Sequence, residues 1–373
     1  FVGGNSENDL RVLEGISERQ VQLAKELLNS GKILLDIKDT EDKIYIEVNL
    51  VTDVGKCKVI INGKHNRFVY IESLGEVILD LKKENKINNS GKNILYSLRI
   101  REIIGEIEKI PHEDIAFMLE GIVMNETVAM TGLKEKLGMG VGYALKNSID
   151  QGILSEDLMT ASMMLTAAAS DARMSGINLS VMSSNGSGNN GLTAILPIVA
   201  YKNIFKVDNE KLAKAVAISH IVNSYIKHYI GRLSALCACG VAAGTGAGVA
   251  IAWLMGASYD QIDGVIKNTI ANTSGMICDG AKEGCSLKLS TSASVAISSA
   301  ILAINNSIVP ARNGIVAETA EESIINLRVL SVDGMSITDT VILNTMKKMQ
   351  KKHKGDILYG NSKVHIKTHG FIA

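Results

Sequence analysis

The pattern of apolar and polar positions divides the chain into two unlike halves. From Ser17 to Ser30, Val21, Ala24, Leu27 and Leu28 fall on one face of a helix, and Ser17 followed by Gln20 supplies a capping box at its start. After Gly31 the period changes. Ile33–Ile37, Ile44–Val51, Cys57–Ile61, Phe68–Ile71 and Val77–Leu81 are short β-branched runs separated by Asp-Thr, Asp-Val-Gly, Asn-Gly-Lys-His and Leu-Gly-Glu turns. This spacing predicts an antiparallel sheet, backed by the first helix and by the segment after Leu95, in a small α+β sandwich domain over 1–110.

Lys82–Lys92 is polar and reads as a linker. Beyond Pro111 the pattern is helical, with segments expected near 112–125, 127–151, 155–175, 191–206, 209–229, 234–256, 258–272, 286–306, 316–328 and 336–352. Several have no polar face, so they belong at the centre of a bundle. The fold class is therefore α+β, a small sheet domain followed by a large all-helical domain over 111–352. A polar tail, 353–373, is expected as an edge strand or without structure.

Composition sharpens this picture. The chain has 373 residues, 46% of them hydrophobic but only 4% aromatic, with 34 Gly. Met174–Tyr201, Leu233–Tyr259 and Leu289–Ala311 carry no charged residue. Each is long enough to cross a bilayer, yet they are filled with Gly, Ala, Ser, Thr and Asn and lack aromatic belts and Lys/Arg flanks, so close-packed core helices are expected and a membrane is not. The 39 basic residues balance 39 acidic ones, which argues against nucleic acid and anionic lipid and for a small-molecule ligand. Phe1–Arg11 does not resemble a signal peptide. The expected location is the cytoplasm; a homodimer is left open. Because the chain does not begin with Met, a preceding segment is expected.

Four stretches could carry chemistry. Cys237, Cys239, Cys278 and Cys285 lie within 49 residues, without the close paired spacing zinc prefers. They read either as iron-sulfur ligands or as small core residues. Ser183–Gly191 is Gly- and Asn-rich and directly precedes a helix, so its backbone N–H groups suit a carboxylate; a flexible linker is the alternative. Pro197 should bend or restart that helix. Lys227, His228 and Arg232 are basic residues just ahead of Cys237, and His65 sits on a turn between two strands.

Taken together, the Ser183–Gly191 loop, Gly231-Arg-Leu-Ser-Ala-Leu-Cys-Ala-Cys239-Gly-Val-Ala-Ala-Gly244 and Gly275-Met-Ile-Cys278-Asp-Gly-Ala-Lys-Glu-Gly-Cys285 resemble the L-cysteine desulfidase family. That family is related to the alpha domain of iron-sulfur L-serine dehydratases. The resemblance runs from about Ile33 to Met346. It implies a 4Fe-4S cluster with three cysteine ligands and β-elimination of cysteine to pyruvate, ammonia and sulfide. Serine dehydration, or a non-catalytic cluster- or amino-acid-binding homologue, are the alternatives.

Carried over, Cys278 and Cys285 match two ligands, and Cys237 or Cys239 the third. Two residues apart on a helix, those two would point about 200° apart, so only one should ligate, with preference for Cys237. Asn185, Gly186, Ser187, Gly188, Asn189, Asn190 and Gly191, with Arg232, are expected to bind substrate. His65 resembles the His of the family's Gly-Ser-His-Thr turn, here with Lys64 and Asn66 in place of Ser and Thr. His65 and Lys282 are the expected bases. Desulfidases of this type start with a Gly-Cys-Thr-Glu-Pro-like motif that does not occur before Phe1, so this chain is expected to be a fragment or to lack the elimination chemistry.

Overall fold

The computed structural model describes all residues except 1, 39, 41, 43, 82–93, 232, 354–364 and 370–373. In chain order a 3-10 turn leads to α1 (Glu18–Asn29), β1 (Leu34–Asp36), β2 (Tyr45–Val51), β3 (Lys56–Asn62), β4 (Phe68–Ser73) and β5 (Glu76–Asp80). The helices that follow are α2 (Ile100–Lys109), α3 (His112–Ile115), α4 (Met118–Lys134), α5 (Val141–Asp150), α6 (Leu158–Met174), α7 (Gly188–Ile204) and α8 (Asn209–Ile230). Then come α9 (Thr245–Leu254), α10 (Tyr259–Thr273), α11 (Cys285–Ile304), α12 (Ala320–Val329), α13 (Thr338–His353) and β6 (His365–His369). The fold is α+β. One compact unit comprises 1–91 and 340–372, the other essentially 92–339.

In the first unit, β2 to β5 form an antiparallel meander in the register Tyr45↔Asn62, Cys57↔Ser73 and Tyr70↔Asp80. The segment expected as an edge strand or unstructured is β6, which lies between two neighbours, antiparallel to β2 and parallel to β1. Tyr45, Ile60, Val69 and Tyr70 make a small core. Buried Glu47 accepts from Tyr45 Oη at 2.6 Å and pairs with Lys38 and Lys58. Helix α1 has its Ser17–Gln20 capping box, but none of its residues is buried. The expectation that it backs the sheet is therefore corrected: its apolar stripe is too short and too interrupted by charge to be drawn under cover. The linker expected at Lys82–Lys92 lies outside the described residues.

The second unit is helical throughout. The segment after Leu95, expected against the sheet, is α2, whose Ile100, Ile103, Ile104 and Ile107 enter the helical core. The single helix expected over 127–151 is two, because Gly138 and Gly140 take left-handed backbone (φ 53° and 69°) and turn the chain between α4 and α5. Every residue from Asn189 to Tyr201 of α7 is buried, as a helix with no polar face must be. Pro197 lies inside α7 without ending it, so a restart of the helix there does not occur; the hydrogen bond its missing N–H would make is lost. Helix α11 is the one described helix long and apolar enough to cross a membrane, yet more than half of it is buried, packed on α6, α9 and α10.

Candidate functional site

The Gly- and Asn-rich loop is a tight turn followed by a helix start. Ser184 and Ser187 exchange both backbone hydrogen bonds (3.0 and 3.1 Å) around Asn185 and Gly186, whose positive φ values of 49° and 79° close a two-residue turn. Ser187 then caps α7, its side chain accepting from Asn190 N, so Gly188 to Gly191 already form the first helical turn. Asn125 of α4 clamps the preceding segment, donating to Met182 O at 3.2 Å and accepting from Met182 N at 2.9 Å. Gly191 is required here: a Cβ would stand 1.9 Å from Met182 O.

Three elements place polar groups around this turn. From α8, Asn223 Nδ2 donates to Ser184 Oγ at 2.7 Å, and His220 Nδ1 lies 2.7 Å from the same oxygen. Burial lowers the His220 pKa to about 4, so the ring is neutral at pH 7. Lys227, also on α8 and 4% exposed, donates from Nζ to Asn185 O at 3.4 Å. From α6, Arg173 Nη1 donates to Asn189 Oδ1 at 3.0 Å. From the segment before α9, Cys239 Sγ receives Asn190 Nδ2 at 3.6 Å.

The cysteines converge on this end of α7. Leu236 and Ile277 form a short antiparallel bridge, with Cys237 N donating to Met276 O (2.8 Å) and Cys278 N to Ala235 O (2.7 Å). Cys237 and Cys278 thereby lie on neighbouring segments joined by this bridge. Cys285 opens α11, its thiol donating to Gly280 O at 3.6 Å. Cys239 begins a π-helical turn, Cys239–Gly244, that runs into α9; such turns concentrate at functional sites. Cys237 precedes that turn rather than lying on a regular helix, so the two thiols do not diverge: Cys239 hydrogen-bonds Cys237, pushing its own pKa up and that of Cys237 down. Cys278 and Cys285 both add to the electrostatic repulsion at Cys239. Burial raises the Cys278 pKa as well.

Of the residues expected from sequence, Asn185 to Gly191 and the four cysteines are thus brought together. Lys282 is exposed and ion-paired with Asp279, which also pairs with Lys288; an ammonium so paired is poorly suited to act as a base. His65 is exposed on the β3–β4 turn of the sheet unit. Arg232 lies outside the described residues. His228 stacks on Tyr96 with ring centroids 3.8 Å apart, a packing role. Arg173, His220 and Asn223 were not anticipated. His220, Asn223 and Lys227 make a polar stripe at helical spacing through an apolar helix, a signal that was there to be read; Arg173 has no such local mark.

The donor set suits an iron-sulfur cluster: four soft thiols, two of them under 10% exposed, supplied by separate segments at the mouth of a Gly- and Asn-rich turn. Among the described residues no group of three or more His, Cys, Asp or Glu side chains is placed to hold a metal ion.

A family model for the serine dehydratase alpha chain matches residues 7–344. A UPF0597 protein of Alkaliphilus metalliredigens is 61% identical over 357 residues, covering 96% of this chain and 80% of the relative. A UPF0597 protein of Clostridioides difficile is 51% identical over 355 residues (94% and 83%), and one of Caldanaerobacter subterraneus 40% over 352 (94% and 82%). The chain belongs to the serine dehydratase alpha chain family.

Proposed function

We propose that this chain is an iron-sulfur lyase that eliminates the β-substituent of L-cysteine, giving pyruvate, ammonia and sulfide, with L-serine as the second substrate to test. The observation that carries this reading is the meeting of Cys237, Cys239, Cys278 and Cys285 with the first turn of α7, through the Asn190–Cys239 contact. Cys278, Cys285 and Cys237 would hold a 4Fe-4S cluster; Cys237 is preferred to Cys239 because it lies across the short bridge from Cys278, whereas Cys239 is engaged by Asn190. Bound there, the cluster would supply an iron without a protein ligand, a Lewis acid for a thiol or hydroxyl that is otherwise a poor leaving group.

The chain's own groups do the rest. The turn from Asn185 to Gly191, with the free N–H groups of α7, would receive the carboxylate. Lys227, buried below Asn185, adds positive charge at that turn. A base for the Cα proton would contribute about 10²- to 10⁴-fold; Lys282 is not used for it, given its pair with Asp279.

Anaerobic reconstitution of the purified chain with iron and sulfide should give about four irons per chain and broad visible absorption. L-cysteine should then yield sulfide and pyruvate in equal amounts. Cys278→Ser should abolish both the absorption and the activity, and Cys237→Ser should cost more iron than Cys239→Ser. Failure of the wild-type chain to take up iron, or iron uptake with neither L-cysteine nor L-serine consumed, would overturn the reading.

A further inference from the structure

Arg173 occupies the last turn of α6, two residues past fully buried Asp171. Its guanidinium runs along the first turn of α7: Nη1 donates to Asn189 Oδ1 at 3.0 Å, and a Cβ added at Gly188 would stand 2.5 Å from Nε. It lies in the electrostatic field of Cys239 and Cys285. Arg101 and Arg312 of the same unit pair with carboxylates, Arg101 with Asp260 and Asp263 and Arg312 with Glu318. Arg173 makes no such pair among the described residues. A half-buried guanidinium with five donors is thus committed to one neutral amide, beside a turn rich in backbone N–H groups.

The neighbouring residue has the complementary deficit. Asn190 is 3% exposed; its Nδ2 is used on Cys239 Sγ, and its Oδ1 is buried without a hydrogen-bond partner. An interior acceptor left unfilled is costly and uncommon. A cation lacking an anion, held on Asn189, and an acceptor lacking a donor, on Asn190, therefore meet consecutive residues of the first turn of α7, the second of them bonded to Cys239.

We infer that Arg173 anchors the carboxylate of an α-amino acid whose ammonium group donates to Asn190 Oδ1, so that its side chain is directed toward Cys239 and Cys285. The substrate class rests on the lyase reading above. The competing role for Arg173 is that of a counter-ion for the thiolates. The two differ in a testable way: a counter-ion acts whether or not substrate is present, and an anchor acts only on a molecule that carries a carboxylate.

The test uses the full reconstituted chain under anaerobic titration calorimetry, with L-alanine as a probe that has both charged groups and no leaving group, and L-alaninamide as the same molecule without the carboxylate. Wild type should bind L-alanine at least about 10-fold more tightly than L-alaninamide. Arg173→Gln should weaken L-alanine about 10- to 100-fold, and Arg173→Lys less, since charge remains while the forked geometry is lost. Neither should change L-alaninamide binding, iron content or the visible spectrum. Equal affinity of wild type for the two probes overturns the anchor without recourse to any variant. So does an Arg173→Gln protein that keeps its L-alanine affinity and loses iron or shifts its spectrum, which is the counter-ion outcome. If wild type takes up no iron, the lyase reading fails, while the two-probe comparison still decides the anchor.

Discussion

His220 shows how a single side chain is set by its surroundings. Asn223 Nδ2 donates to Ser184 Oγ, and His220 Nδ1 lies 2.7 Å from the same oxygen, donor or acceptor according to the ring tautomer. The folded ring titrates at about 4 because burial disfavours its charged form, whereas in the unfolded chain it titrates near 6.5. Between about pH 6.5 and 4 the unfolded state therefore binds a proton the folded state does not. Stability falls as pH drops through that window, by about 3 kcal/mol in full, and this ring contributes no pH dependence above it. Melting curves at pH 7.5 and 5 should show a larger drop for wild type than for His220→Gln, and the ring's NMR signals should titrate near 4. Equal acid sensitivity of the two proteins, or titration near 6.5, would contradict this. The polar stripe on α8 was legible; that it faces Ser184 was not, because the partner lies 36 residues away and the pairing exists only in the fold.

At the level of elements, the scarcity of aromatic residues has a direct consequence. Gly132 of α4 and Gly142 of α5 both touch the backbone of α6 at Ala168: an added Cβ would stand 2.1 Å from Ala168 O and 2.4 Å from Ala168 N. Gly246 of α9 approaches Ser219 O of α8 equally closely, at 2.3 Å. Small residues thus let helices pack backbone to backbone, and α6 is fixed against α4 and α5 while its C-terminal end presents Arg173. Gly132→Ala cannot be absorbed by a side-chain rotation, because the obstacle is a carbonyl. It should cost about 1–3 kcal/mol or more, read as a lowered melting temperature of the helical unit, while Gly275→Ala, with open space around it, should change little. A Gly132→Ala protein that melts with wild type would refute the contact. The strands β2 to β5 and most helices could be read from sequence because their period and turn residues are local. The break at Gly138–Gly140, the exposure of α1 and the inward place of β6 could not, since each depends on what the rest of the chain covers.

On the scale of the whole molecule, the candidate cluster ligands are confined to one unit. Cys237, Cys239, Cys278 and Cys285 belong to the helical unit; Cys57 is in the sheet, 3.7 Å from Ser73 Oγ. A cluster held by the first group would tie the bridge at Leu236 and Ile277, the π-helical turn and the start of α11 to one another. Its binding free energy is then stability of that unit alone. Two compact units need not melt together, so removal of iron by chelator and oxygen should lower the transition of the helical unit by about 5 °C or more and leave that of the sheet unit in place. Amide exchange should locate the change: faster exchange at 235–245 and 276–288, and none added in β2 to β5. Equal effects on both units, or no effect on either, would mean that iron is not held by these cysteines. The outcome also bears on Arg173, because its guanidinium lies in the field of Cys239 and Cys285. If Arg173→Gln narrows the gap between the iron-loaded and iron-free melting temperatures, Arg173 stabilises the cluster; an unchanged gap is what an anchor for the substrate carboxylate predicts.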